Sequence, residues 1–392
     1  MWDGRTRGIA RPPIAAMNRM AAALAADGAD LINLGQAVLG MAPPPGATAA
    51  VRALLEDGDP HSYSPDPGLP PVLDAVAAFL RDVKGVPDAT PDRLMLTCGC
   101  NQAFADALFA ITEPGDEVVI LGPYYFDHVF TIHLAGCVPV EVPLVLDGDR
   151  WAMDPERVVA ALTTRTRALV VVSPANPTGH VIPAPILRCL ADACDARGIW
   201  LLSDETYDLL TFPPAAHATA AGLMERVVVL GSFSKILGLA GWRVGYLLGS
   251  AALIQEAIKV QDALVVCAPV ASQHAVLGAL PEAAAFAARA REELVRRRDA
   301  LLVALRRCPA LTPTVPDGAT FIMARVEDDR DDVTFAEALL RGAGLVTVPG
   351  SAFGTHGAGW LRLSYGSQPV ARLAEVGERL ETLGRAERRA WP

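Results

Sequence analysis

Short runs of consecutive apolar residues recur along the chain, each opening onto a polar or glycine-rich loop and then a helical pattern. Arg93–Thr97 (RLMLT) leads into CGCNQ, Glu117–Leu121 (EVVIL) into GPYYFDH, and Ala168–Ser173 (ALVVVS) into PANPTG. Ile199–Ser203 (IWLLS) leads into DETY, and Arg226–Leu230 (RVVVL) into GSFSK. Rich in Val, Ile and Leu without polar alternation, these runs predict strands covered on both faces. Between them, Val72, Leu73, Val76, Phe79, Leu80 and Val83 recur at spacings of three and four, the stripe of an amphipathic helix. Ile186, Leu187, Leu190 and Cys194 do the same, with Gly198 placed to end that helix. Strands alternating with helices predict an α/β fold with a mostly parallel central sheet flanked by helices. In such sheets ligands bind beyond the carboxyl ends of the strands, where these polar loops fall.

An Ala-, Leu-, Glu- and Arg-rich stretch at 283–307 predicts one long helix leading into a smaller α/β C-terminal unit. That unit is expected to hold strands near Thr320–Val326, Val346–Val348 and Trp360–Ser364. The first 45 residues, with Pro12-Pro13 and Pro43-Pro44-Pro45, read as an arm packing on the small unit or on a partner subunit. The expected division is therefore an arm (1–45), a large domain (46–285) and a small C-terminal domain (286–392).

Composition narrows the function classes. With 52% hydrophobic and 20% charged residues over 392 positions, the chain has the makings of a packed core and is not a disordered polymer. A net charge of −10 without a Lys/Arg cluster argues against a nucleic-acid partner. The seven cysteines (98, 100, 137, 189, 194, 267, 308) are odd in number and contain no C-x-x-C, so neither a disulfide framework nor a metal site is expected. Residues 263–281 are uncharged, yet Pro269, Ser272, Gln273, His274 and Pro281 make a membrane span untenable. Asn18 and Arg19 interrupt any leader-like apolar region after Arg5, Arg7 and Arg11. A soluble, cytoplasmic protein is expected.

The segment GSFSKILGLAGWRVGY (231–246) carries the strongest chemistry. Lys235 follows a buried strand, where desolvation favours the neutral amine and suits it to imine formation with a carbonyl. Ser232, Ser234 and Arg243 around it supply donors for a phosphate. Gly99-Cys100-Asn101-Gln102 sits where a strand turns into a helix, so free backbone N–H groups favour an anion there too. Asp204 and the aromatics Tyr124 and Tyr125 are less decisive by themselves. A strand-end aspartate often only caps the next helix, and aromatics are usually core residues.

Taken together, these segments resemble the fold-type-I, class I/II aminotransferases that depend on pyridoxal 5′-phosphate, over most of the chain from about Tyr63 to Ser364. The resemblance implies that Lys235 forms a Schiff base with the cofactor. Asp204 of DETY would pair with the pyridine nitrogen, and Tyr207 would hydrogen-bond the phenolic oxygen. Asn176 of the N-P-T-G loop would reach both that oxygen and the substrate carboxylate. Gly99, Cys100, Asn101, Ser232, Ser234 and Arg243 would hold the phosphate. Tyr125, or failing it Tyr124, would stack on the ring. Tyr63 in HSYSPDPG would reach the phosphate of a second subunit, making a homodimer with shared active sites. Arg362 of WLRLS would grip the substrate α-carboxylate, a role that suits its planar fork.

The resemblance also implies an amino acid and a 2-keto acid as substrates, exchanging an amino group through Lys235, Asp204 and Tyr207. One loop departs from the family pattern. Asn33-Leu34-Gly35-Gln36-Ala37-Val38-Leu39-Gly40 puts Ala37 where a glycine normally lets the backbone approach the substrate. Ala37 is therefore expected to touch substrate and to alter its selection. The departure leaves a lyase, cyclase or C–C bond-forming reaction as the alternative on the same cofactor. No arginine in 261–275 is available for a second carboxylate, which weighs against a dedicated aspartate or glutamate enzyme. His128 and His180 flank motif loops and read either as pocket-lining residues or as solvated loop residues, the blander of the two.

Overall fold

The computed structural model describes Thr6, Ile9 and residues 14–390, with side chains as far as Gly384. Arg5, Arg7, Arg11, Pro12 and Pro13 lie outside the described residues. The apolar runs form a seven-stranded sheet ordered Leu94–Thr97, Gly245–Leu248, Val227–Ser232, Trp200–Asp204, Thr166–Val172, Glu117–Gly122 and Val138–Pro143. Its strands are mutually parallel except Gly245–Leu248, which runs against both neighbours. Every residue of Val227–Ser232 is buried. Val227 and Val229 face one apolar layer, and Val228 and Leu230 the other. Two-sided burial is the physical reason these runs lack alternation, at about 1.5–3 kcal/mol for each fully buried Val or Leu.

The antiparallel strand is not evident from the sequence pattern, because Gly245–Leu248 lies at the end of the segment dominated by its polar chemistry. It also explains a glycine. Gly231 pairs with Tyr246, and a Cβ on Gly231 would fall 2.0 Å from the tyrosine ring. The two amphipathic stripes form helices Pro70–Asp82 and Ala184–Asp195, and Gly198 adopts φ +66° in the turn beyond the second.

Helix Ala283–Arg306 runs to a four-stranded antiparallel sheet ordered Leu311–Pro313, Phe321–Val326, Trp360–Ser364 and Val348–Pro349. The strand expected at Val346–Val348 is two short ones. Leu345–Val346 pairs in parallel with Ile32–Asn33, whereas Val348–Pro349 joins Trp360–Ser364. The N-terminal segment thus adds a strand beside the small sheet, bringing Gly35 and Ala37 across to the large one. Among the described residues no helix is long and apolar enough to cross a membrane.

Candidate active site

The carboxyl ends of the parallel strands converge on a cleft of ≈ 290 Å³. Cys100, Asn101, Tyr125, Asn176, Asp204 and Tyr207 line it, as do Ser232, Ser234, Lys235 and Arg243. Ala37 and Arg362 close it from the N-terminal segment and the small sheet. A larger groove of ≈ 740 Å³ lies between residues 211–217 and helix Ala283–Arg306. It holds none of the residues named above, so volume alone does not locate the chemistry.

Lys235 sits on the short helix Phe233–Ile236, whose first turn is capped by Ser232 Oγ accepting from the Ser234 N–H at 3.1 Å. Its Nζ donates to the carbonyl of Ala37. Burial, aided by the charges of Arg362 and Arg243, pulls its pKa down to about 8. Arg362 reaches the cleft from strand Trp360–Ser364, donating to Asn176 Oδ1 at 3.0 Å and to the carbonyl of Gly35 at 2.7 Å. The guanidinium lies over Phe321 and Phe353, 4.6 and 5.0 Å from the ring centroids. Burial lowers its pKa to about 10, partly opposed by Tyr207 and Tyr125, and its Nε is buried without a hydrogen-bond partner among the described residues. A buried cation left incompletely bonded is suited to an incoming anion.

Asp204 ends strand Trp200–Asp204 and is buried. Its Oδ1 accepts from the Thr206 N–H at 3.0 Å, and its Oδ2 lies 3.2 Å from His128 Nε2. Burial pushes this carboxyl up, but the contacts with His128 and Thr206 outweigh it and hold the pKa below the usual value. His128 is not the solvated loop residue that its sequence context suggests. It is only 1% exposed, on helix Phe126–Leu134. The helix begins directly after Tyr125, so His128 turns inward and stacks on Phe104 at 4.2 Å. His180 is likewise buried rather than solvated, and burial pushes its pKa down to about 4. Thr206 joins the site without having stood out in the sequence, although it lies inside the DETY motif. For His128 the available signal is its place three residues after Tyr125, on the same helical face.

Gly99 (φ +88°) precedes helix Cys100–Ile111, and a Cβ there would meet Arg243 Nη2 at 2.6 Å. Arg243 itself lies in the left-handed region at φ 52°. Cys100 is buried, and burial together with Asp204 drives its thiol pKa well up, so it is no nucleophile. The Tyr125 hydroxyl donates to Asp127, which also accepts from Asn101 Nδ2 at 2.8 Å. Tyr63 is 81% exposed and stands apart from the cleft lining. Glu205, Asp208 and His217 come together, with His217 Nε2 3.1 Å from Glu205 Oε2 and the Lys84 ammonium bonded to Asp208.

The sequence model of aminotransferase class I and II matches residues 29–380. The chain is 36% identical over 354 residues to a probable aspartate/prephenate aminotransferase of Thermus aquaticus, covering 89% of this chain and 91% of the relative. It is 31% identical over 390 residues to an aromatic aminotransferase of Arabidopsis thaliana, covering 97% and 95%. The fold superposes on aspartate aminotransferase from Thermus thermophilus with maleate, at TM-score 0.91 and 33% identity, over 98% and 99% of the two chains. The chain belongs to the aminotransferase class I and II family, whose members transfer amino groups with pyridoxal 5′-phosphate.

Proposed function

We propose that this cleft moves an amino group between an amino acid and a 2-keto acid, with Lys235 as the reacting amine. The observation that carries the reading is one buried lysine of depressed pKa that shares its cleft with a buried carboxylate, Asp204, and an incompletely bonded arginine, Arg362. Pyridoxal phosphate, when bound, supplies an aldehyde that condenses with amines and a ring that accepts the electron pair left when the substrate Cα–H bond breaks.

The residues present fit that group. Asp204 stays ionised through His128, so it can hold a ring nitrogen protonated. Tyr207 and Asn176 face the same space for a ring oxygen, and Tyr125 offers an aromatic face. Ser232, Ser234, Arg243 and the backbone of Gly99, Cys100 and Asn101 supply a phosphate cradle, with Gly99 leaving room for the Arg243 guanidinium. Lys235 would hold the cofactor covalently until a substrate amine displaces it. Freed, its neutral Nζ accepts the proton from the substrate Cα and returns it, as base and then acid. Arg362, with Asn176 beside it, fixes the α-carboxylate so that this proton faces Lys235.

Exposure of Tyr63 supports a homodimer in which each copy completes the other's phosphate site. The arm at 1–45, the large domain at 46–285 and the small one at 286–392 belong to the same reading, as does a cytoplasmic location. The test is to add amino acids to the holoenzyme and follow the cofactor absorbance. Conversion to the aminated form, reversed by a 2-keto acid, is the expected result; failure of every keto acid to reverse it overturns transamination. Lys235→Ala should abolish the imine band.

A further inference from the structure

We propose that Asp127 is a positioning residue for the cofactor ring, tying the Tyr125 hydroxyl to the Asn101 amide so that the stacking aromatic keeps one plane. This rests on the reading in which Tyr125 stacks on pyridoxal phosphate and Asn101 belongs to its phosphate cradle.

Both bonds end on the same oxygen. Asp127 Oδ2 accepts from the Tyr125 hydroxyl and from Asn101 Nδ2, the latter at 2.8 Å. The three residues come from two helix N-termini. Tyr125 immediately precedes helix Phe126–Leu134, Asp127 lies in its first turn, and Asn101 is the second residue of helix Cys100–Ile111. A carboxylate is favoured in a first helical turn, because the free N–H groups there carry partial positive charge. A hydrogen bond to an ionised acceptor is also roughly twice as strong as one between neutral groups. Burial and the Asp127 charge both push the Tyr125 pKa up, so the phenol stays protonated and remains the donor.

A tyrosine ring is otherwise loosely set, since its second side-chain torsion has a broad well. Here the ring is held at two points. Asp127 takes the hydroxyl, and the ring meets His128 nearly perpendicularly, 5.3 Å between centroids and 84° between planes. His128 Nε2 in turn lies 3.2 Å from Asp204 Oδ2. Asn101, Asp127, Tyr125, His128 and Asp204 therefore form one connected series. It runs from a residue of the phosphate cradle to the carboxylate that serves the ring nitrogen. An aromatic face already ordered in this way loses no rotamer freedom when a planar ring settles on it, which favours binding.

The full-length chain, stripped of cofactor, is titrated with pyridoxal phosphate and followed by imine absorbance. The visible circular dichroism of the bound cofactor is then read at saturation. Tyr125→Phe keeps the ring and loses the hydroxyl, whereas Asp127→Ala loses the acceptor; each should weaken binding by about tenfold, the effect of one charge-assisted hydrogen bond. The double variant should bind no more weakly than Asp127→Ala alone, because both substitutions break the same contact. Asp127→Asn, whose Oδ1 can accept both bonds, should stay within about threefold of the parent. The dichroic band should shrink in Tyr125→Phe and Asp127→Ala and return in Asp127→Asn. Should Asp127→Ala fail to fold, Tyr125→Phe and Asp127→Asn carry the test. Parent-like or tighter binding by Tyr125→Phe or Asp127→Ala overturns the inference, as do losses that multiply in the double variant. So does an undiminished dichroic band, or an Asp127→Asn protein as weak as Asp127→Ala. Each of these leaves the cofactor reading standing, whereas a parent chain that forms no imine band overturns both.

Discussion

Replacing His128 by Phe tests the electrostatics of the site most directly. The ring stacks on Phe104, 4.2 Å between centroids and 29° between planes, so phenylalanine keeps the shape of the contact. What it removes is the Nε2 partner 3.2 Å from Asp204 Oδ2. A hydrogen bond to a charged group contributes about 1.5–3 kcal/mol, and the carboxylate it serves is buried. Without it, burial is left as the dominant influence and raises the Asp204 pKa. At roughly 1.4 kcal/mol per tenfold, kcat should fall by about 10- to 150-fold. The acidic limb of the pH–rate profile should also move to higher pH. The sign follows from the direction: a carboxyl now held less firmly as its anion protonates earlier as pH falls. His128→Gln, able to donate to the same oxygen, should restore part of the rate and move the limb back. The assay is the half-reaction with a good donor across pH 5–9. An H128F enzyme with wild-type kcat and an unmoved acidic limb would refute the role assigned to this contact.

Three further outcomes follow from the same geometry. Lys84→Met leaves the buried Asp208 carboxylate without its ammonium and should destabilise the fold by about 3–5 kcal/mol in urea titrations, with Lys84→Met/Asp208→Asn recovering part of the loss. In the cofactor-free chain, Lys235→Met should be more stable than the parent at pH 7 by an amount on the order of 3 kcal/mol, since burial lowers the amine's pKa from 10.5 to about 8. That advantage should shrink as pH rises from 8 towards 10.5, because the unfolded chain binds the extra proton in that window. Arg362→Leu should lower kcat/KM by roughly 10²–10⁴-fold through loss of a forked grip on the α-carboxylate, and Arg362→Lys should restore little of it.

Much of this site is legible in the chain because its parts are local. Asp204-Glu205-Thr206-Tyr207, Ser232–Lys235 and Asn176–Gly179 each follow an apolar run, so strand and loop chemistry can be read side by side. The long helix and the strands at Phe321–Val326 and Trp360–Ser364 are also evident from their patterns. The strand Ile32–Asn33 is not, since two residues are too short to show a period. Nor is the split at Thr347, where the chain changes pairing partner.

The sequence by itself determined the α/β alternation, the strand-end placement of the polar loops and the residue types available to bind phosphate, carboxylate and amine. Tertiary structure decided which of them meet. Arg362 bonds Asn176 across 186 positions of sequence, and His128 supports Asp204 from a helix that periodicity alone does not orient. Lys84, unremarkable in the sequence, balances Asp208 in the interior. A local pattern specifies which face of an element is buried, whereas the partner on that face, and the pKa it imposes, depend on the packing of distant segments.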